Sequence, residues 1–333
     1  MTNRLNIAQV GYGYWGPNIS RNITASPKTS LHVICDTNEN SLSRAKANYG
    51  DKVLYSKDYK GFLEDKGIDA FAVSTSTEAS YQIAIDILNA GKHLFIEKPM
   101  AINTELASNI CNLAKEKGLI VHCDHIMIFH PIIKYIKKMY DSGELGELIY
   151  FDVSRVNLGP IRADINAMLD LAVHDLAVLD HLSEGKEPIE VDAIGEKRYG
   201  SQETLAYLTM RYPGFLAHIK ASWLSPLKER RLIIGGTKKL LVFDDVKMVD
   251  KLAIYDHGII QRDTEYGDYE FKVRTGDMVA PYIPHEDALK NSVEHFADCV
   301  FANTSSIAGA DQALRVVKIL DRALKSMKEG VRE

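Results

Sequence analysis

The chain has 333 residues, 46% of them apolar and 26% charged, and carries a formal net charge of -5. That length holds two domains of ordinary size, and the composition is that of a soluble globular protein. An acidic balance without any Lys/Arg block excludes the electrostatic footprint of a nucleic-acid binder. No apolar run reaches the length of a membrane span, and Met1-Thr2-Asn3-Arg4 leads straight into a strand-like run. Neither a membrane nor a nucleic acid is therefore an expected partner. Cys35, Cys111, Cys123 and Cys299 lie far apart with no C-x-x-C, and read as small core residues of a reduced, cytoplasmic protein.

Residues 5–10 form the first predicted strand, and it runs into Gly11-Tyr12-Gly13-Tyr14-Trp15-Gly16 before a helical stretch over 18–25. In such a strand–turn–helix, Gly11 turns the chain, Gly13 lets backbone approach a pyrophosphate, and Gly16 packs helix against strand. The free N–H groups at the helix start favour phosphate charge. A second strand, 31–35, ends in Asp36, 20 residues after Gly16, where a ribose-binding carboxylate is expected. A helix over 41–49 and a short strand over 53–55 follow. The strand 68–74 ends in Ser74-Thr75-Ser76-Thr77; the helix 79–90 stops at Gly91; the strand 93–96 ends in Glu97-Lys98-Pro99. A helix over 104–117 and a strand over 119–122 complete a pattern that alternates strands with helices. Such a pattern indicates an α/β doubly wound parallel sheet with its ligand crevice at the carboxyl edge.

After residue 123 the pattern changes. Helices are predicted over 131–140 and 164–182, with a strand over 148–156 between them. Strand-like segments then follow at 189–194, 204–211, 215–223, 231–235, 239–243, 251–255 and 269–274, and two helices, 286–302 and 309–328, close the chain. A run of that kind implies an α+β domain with a large, mainly antiparallel open sheet. We therefore expect a dinucleotide-binding domain over 1–122 and a substrate-binding and oligomerisation domain over 123–333.

Three groups outside the glycine turn have chemical potential. Glu97-Lys98-Pro99 would hold an ammonium at the crevice mouth, useful for proton transfer or for polarising a hydroxyl; an ordinary surface ion pair is the plain alternative. Asp170 and His174, four apart on a helix, share a face, so that a carboxylate could orient an imidazole base. Lys228 and Arg231, in the charged segment after Trp223, could grip phosphate, and Arg162, Asp164 and Asn166 could reach a sugar. Asn166 is equally suited to cap a helix. His122-Cys123-Asp124-His125 contains metal-ligand types, but strand neighbours point to opposite faces, and no metal is expected.

Together, the glycine turn, Ser74-Thr75-Ser76-Thr77, Ala90-Gly91-Lys92-His93 with Glu97-Lys98-Pro99, Ser142-Gly143-Glu144-Leu145-Gly146-Glu147 and the Asp170/His174 helix resemble the Gfo/Idh/MocA oxidoreductases. The tract Asp164 to Asp175 is similar to the branch acting on nucleotide-linked sugars, the UDP-N-acetylglucosamine and UDP-N-acetylglucosaminuronate 3-dehydrogenases. The resemblance implies an N-terminal Rossmann domain and a C-terminal open sheet that mediates dimers or tetramers. It implies cofactor contacts from Gly11, Gly13, Tyr14, Trp15, Gly16, Asp36, Ser74, Thr75, Ser76, Glu97, Lys98 and Pro99. It further implies substrate contacts from Lys98, Asp170 and His174, beside which Arg162, Asp164, Asn166, Lys228 and Arg231 are the substrate candidates read from the residues themselves. Where many members carry a His after the third-strand turn, this chain has Ser80. Asp36 favours NAD over NADP, since a carboxylate repels a 2′-phosphate. The expected reaction is hydride transfer between nicotinamide and a secondary alcohol, at C3 of a nucleotide-linked sugar. The hydroxyl would lie between Lys98 and His174, with Asp170 orienting the imidazole. A dehydrogenase of a free sugar or polyol such as inositol, and a non-catalytic nicotinamide-responsive binding protein, stay open as alternatives.

Overall fold

The computed structural model describes residues 4–261 and 271–329. In chain order it begins with β1 (Leu5–Val10), α1 (Gly16–Ala25), β2 (Thr29–Cys35), α2 (Glu39–Tyr49) and β3 (Leu54–Ser56). Next come β4 (Ala70–Val73), α3 (Thr77–Asn89), β5 (His93–Ile96), α4 (Thr104–Lys117) and β6 (Val121–Cys123). Then follow α5 (Pro131–Asp141), β7 (Leu148–Leu158), α6 (Val173–Leu182), β8 (Glu190–Glu196), β9 (Leu205–Tyr212) and β10 (Phe215–Ser222). The remaining strands are β11 (Leu224–Gly236), β12 (Leu240–Asp244), β13 (Leu252–Tyr255), β14 (Gly258–Gln261), β15 (Phe271–Arg274) and β16 (Met278–Val279), before α7 (Ala288–Ala302) and α8 (Ala310–Glu329). The strand expected over 269–274 is β15 from Phe271 onward; 269–270 lie outside the described residues.

Two compact units result: residues to His130 with Glu286–Asp321, and Pro131–His285 with Arg322 onward. The first is built on a six-stranded sheet of order β3-β2-β1-β4-β5-β6, parallel throughout. Strand order reverses between β1 and β4, which makes that pair the topological switch point of a doubly wound fold. Strands buried on both faces need uninterrupted apolar runs, and Ala70-Phe71-Ala72-Val73 is fully buried.

The expected boundary at 122 differs from this division, for a packing reason. Phe296 of α7 sits edge-on to Phe95 of β5 at 5.8 Å, and Leu289, Val293 and Ala297 join Leu5 and Ile7 in one core. Ala313 and Val317 of α8 pack with Val121 and Cys123, and Thr104 Oγ1 donates to Asp321 at 2.7 Å. Sequence periodicity finds such helices but does not tell which sheet they cover.

The second unit has an eight-stranded sheet of order β16-β13-β12-β11-β7-β10-β9-β8. It is antiparallel except where β10 runs parallel to β7. Phe151, Val153, Leu208, Met210, Ala217 and Ile219 are buried, while Ile194, Tyr207 and Leu216 on the alternate positions are exposed. The charged segment after Trp223 forms the first half of β11, with an irregular register between Leu224 and Glu229. The helix expected from Asp164 starts later, as a wide helical turn over Met168–Ala172 that leads into α6.

What ties α6 to the sheet is a buried bidentate ion pair. Arg155 of β7 donates from Nε and Nη2 to Asp175 at 2.6 and 2.7 Å, with side-chain exposures of only 8% and 6%. Removing one partner leaves a buried charge unmatched. Asp175→Ala is therefore expected to lower unfolding free energy by about 3–5 kcal/mol in a denaturant titration. The double change Arg155→Met/Asp175→Leu is expected to cost less than the single one, because neither charge then stays behind.

Candidate active site

The glycine turn at the end of β1 is shaped by contacts that only glycine permits. Gly11 has φ +94°, and a Cβ there would fall 2.5 Å from the Ser74 carbonyl oxygen. At Gly16 a Cβ would fall 2.6 Å from the Gly11 carbonyl oxygen. At Gly13 it would meet no protein atom within 4 Å. The first and third glycines thus serve the protein's own packing, and the second borders open space. Trp15, which precedes α1, makes no side-chain cap, and Pro17 occupies the first turn, where its missing N–H costs no helix bond. The helix start keeps backbone donors for an anion.

Beneath the turn lies Gln9, fully buried. Its Nε2 donates to the carbonyls of Gly11 and Gly16, each at 2.9 Å, and its Oε1 accepts from Ser20. Ser74 Oγ donates to Gly11 O at 2.8 Å. Thr75 Oγ1 meets Ser80 Oγ at 2.9 Å, so Ser80 buttresses the β4 turn from below. Asp36, at the end of β2, accepts from the Tyr12 N–H at 2.6 Å and the Asn38 N–H at 2.8 Å. It remains partly exposed. Each carboxylate oxygen keeps a lone pair for a ribose hydroxyl. Tyr14 is 96% exposed beside this turn. The residues present fit a dinucleotide: an open approach at Gly13, donors at the α1 start, and an acceptor at Asp36.

Glu97, Lys98 and Asp124 follow the carboxyl ends of β5 and β6, whose last residues, Ile96 and Cys123, are register partners. Lys98 N donates to Glu97 Oε2 at 3.1 Å, and the Lys98–Pro99 peptide is cis. Burial pushes the Glu97 carboxyl well above the usual carboxylate range, and nearby Asp124 adds to that. Burial also raises Asp124 to about 6, against the bonds it accepts. His122 is held between Ser306 at 2.8 Å and Ser292 at 2.9 Å, and His125 meets Gln312 at 2.6 Å. Both imidazoles are pushed down by burial, His125 to about 4. Among the described residues no group of three or more His, Cys, Asp or Glu side chains could hold a metal ion.

In the second unit, Arg162 bridges Asp164, at 2.6 Å, and Asp170, at 3.4 Å. The buried Trp223 donates its indole N–H to Asp170 Oδ2 at 3.3 Å. Trp223 is thus a partner of the Asp170 carboxylate rather than an exposed surface. Asp170 lies in the wide turn that precedes α6, a form that recurs at functional sites, and His174 is partly exposed one turn on.

Two expected substrate groups are placed otherwise. Asn166 is buried; its Oδ1 caps the Leu169 N–H at 2.9 Å and its Nδ2 donates to Glu203 at 2.9 Å. It is a helix cap, because a short amide just before a helix satisfies an otherwise orphaned N–H. Arg231 pairs in register with Ser154, one residue from Arg155, so it projects from the sheet face opposite α6. With Lys228 and Lys247 it lines a shallow depression of about 300 Å³. Strand alternation separates this depression from Asp170 and His174 by the thickness of the sheet.

Residues 5–125 match the Gfo/Idh/MocA model described as an oxidoreductase family with an NAD-binding Rossmann fold, and 133–242 match the family's C-terminal domain. The chain belongs to the Gfo/Idh/MocA oxidoreductase family. It is 31% identical over 194 residues to a UDP-N-acetylglucosamine 3-dehydrogenase of Acidithiobacillus ferrooxidans, a match spanning 57% of this chain and 59% of that one. It is 26% identical to a scyllo-inositol 2-dehydrogenase (NAD(+)) of Bacillus subtilis, over 68% and 69% of the two chains. The solved structure of the A. ferrooxidans UDP-N-acetylglucosamine 3-dehydrogenase superposes with a TM-score of 0.82 at 23% identity, over 99% of both chains, a likeness of fold. Residues 5–125 are thus an NAD-binding Rossmann domain. No described helix is long and apolar enough to cross a membrane.

The glycine geometry separates packing from cofactor approach. Gly11→Ala and Gly16→Ala are expected to destabilise the fold by about 1–3 kcal/mol, from strain and overpacking. Gly13→Ala is expected to melt near the parent temperature yet bind NADH more weakly by fluorescence titration.

Proposed function

We propose that this oxidoreductase acts on a secondary alcohol, at C3 of a nucleotide-linked hexose, with Lys98 and His174 as its acid/base pair. The observation that carries the sugar-nucleotide reading is the 31% identity to a UDP-N-acetylglucosamine 3-dehydrogenase. The held Arg162–Asp164–Asp170 cluster supports it by offering polar groups to a sugar. Bound nicotinamide would supply the hydride acceptor. His174 takes the hydroxyl proton and Lys98 hydrogen-bonds the oxygen as negative charge develops on it, so both roles fall on groups suited to them. Asp170, fixed by Trp223 and Arg162, orients the imidazole. In the reverse direction the same two groups return the proton to a keto sugar.

A free-polyol substrate is favoured by one observation, the longer match to an inositol dehydrogenase. Removing the nucleotide from the substrate distinguishes the two readings. A sugar-nucleotide enzyme loses kcat/KM on the truncated sugar, since remote binding energy is used at the reacting centre, whereas a polyol enzyme favours the smaller substrate. Lys98→Met and His174→Ala are each expected to lower kcat by roughly 10²- to 10⁴-fold. Near-parental turnover in either variant would remove that residue from the mechanism.

We further propose that copies of the chain associate through the open sheet face that exposes Ile194, Tyr207 and Leu216. The double change Tyr207→Glu/Leu216→Glu is expected to shift sedimentation velocity to a monomer. An unchanged sedimentation coefficient would move the interface elsewhere.

A further inference from the structure

Inside the first unit, the groups around Glu97 leave two buried oxygens without a donor: Glu97 Oε1 and Asp124 Oδ2. Every other acceptor of the pair is supplied. Glu97 Oε2 accepts the Lys98 N–H at 3.1 Å. Asp124 Oδ1 accepts Ser292 Oγ at 2.9 Å, and the Trp15 side chain also hydrogen-bonds Asp124. Glu97 and Asp124 directly follow the register partners Ile96 and Cys123, which makes the two carboxyl groups neighbours, and the charge of Asp124 acts on Glu97. Two carboxylates cannot bond without a proton between them, and like charges this close do not both ionise.

We propose that Glu97 is protonated on Oε1 and donates to Asp124 Oδ2, so that the pair carries one negative charge rather than two beside Lys98. One proton then satisfies both orphaned oxygens. Asp124 is the ionised member because it receives the donors, from Ser292 of α7 and from Trp15 at the glycine turn. Ser292 also contacts the neutral His122, whose other nitrogen faces Ser306. The single charge therefore fastens the cofactor turn, the end of β5 and α7 at one point. The charged and titratable neighbours are Lys98 after β5, Cys123 on β6, His125 just beyond it, and, through Ser292, His122 on β6. Glu97 and Asp124 are positioning residues for Trp15 and Lys98. The role toward Lys98 rests on the acid/base assignment above, whereas the shared proton does not.

The sign of the pH dependence distinguishes this arrangement from an ordinary Glu97–Lys98 ion pair. A carboxyl held neutral on folding has a folded pKa above its unfolded value of about 4.3. The folded chain then binds more protons in that window, and its stability falls as pH rises through it. An ionised, cation-paired Glu97 would have a depressed folded pKa, and its stabilisation would be lost as pH falls. Melting of the wild type and Glu97→Gln between about pH 5 and about pH 8 reads the difference. The variant is expected to gain on the wild type as pH rises. The opposite trend would overturn the proposal.

Infrared spectroscopy of the wild type at neutral pH gives a second readout that needs no variant to fold. A protonated carboxyl C=O stretch, shifted in D2O, is expected, and its absence would overturn the shared proton. Both Glu97→Gln and Asp124→Asn should remove that band, the latter because its amide becomes the donor and Glu97 ionises. For the positioning role, NADH affinity should fall on the order of 10-fold or more in Asp124→Ala and less in Asp124→Asn, which keeps an acceptor for Trp15. Equal losses would remove that role. None of these measurements involves turnover, so they stand or fall separately from the kinetic roles of Lys98 and His174.

Discussion

The first unit depends on backbone meeting backbone at the end of β1. Gly11 lies against the Ser74 carbonyl and Gly16 against the Gly11 carbonyl, closer than any side chain permits. The buried Gln9 side chain then holds the carbonyls of Gly11 and Gly16 from below. A polar amide in the middle of an apolar central strand is costly unless fully hydrogen-bonded. Here the cost is offset because the bonds it makes are the ones that fix the turn. Asp36 acts from the neighbouring strand by accepting the Tyr12 N–H. The turn expected of a dinucleotide binder is thus shaped by the chain's own hydrogen bonds, and preorganisation of that kind lowers the ordering cost of binding.

Much of this was legible in the sequence, and for physical reasons. The G-x-G-x-x-G spacing, Asp36 twenty residues on, and helices closed by Gly91 and Gly118 are local signals, and each reports a backbone requirement. Strands β7 to β10, β12 and β13 of the second unit were equally legible from alternation. Three things were not. α7 and the start of α8 belong with the first sheet because Phe296 meets Phe95, a partnership across two hundred residues that no window detects. The Arg155–Asp175 pair looks like two ordinary surface charges until strand and helix are packed together. Asn166 and Arg231 have the right chemistry for a sugar phosphate, but one is used as a cap and the other points from the far side of its sheet. Gln9 carried a signal that sequence reasoning passed over: a lone polar residue inside an apolar strand.

In the second unit a buried ion pair joins α6 to β7. Arg155 projects from β7 toward α6, and its fork geometry admits Asp175 in one orientation. That orientation sets which residues of α6 are buried and leaves His174 partly exposed, next to a wide turn in which Asp170 is held by Trp223 and Arg162. Trp223 and Arg162 thereby hold the Asp170 carboxylate one turn before His174. The placement of that segment follows from packing.

The account's central claim is oxidation of a specific sugar carbon with NAD. It is tested most directly with UDP-N-acetylglucosamine deuterated at C3, incubated with the protein and NAD and analysed by mass spectrometry. The account predicts deuterium in the reduced cofactor and a slower rate with the labelled sugar. Reduced cofactor that carries no label would contradict it.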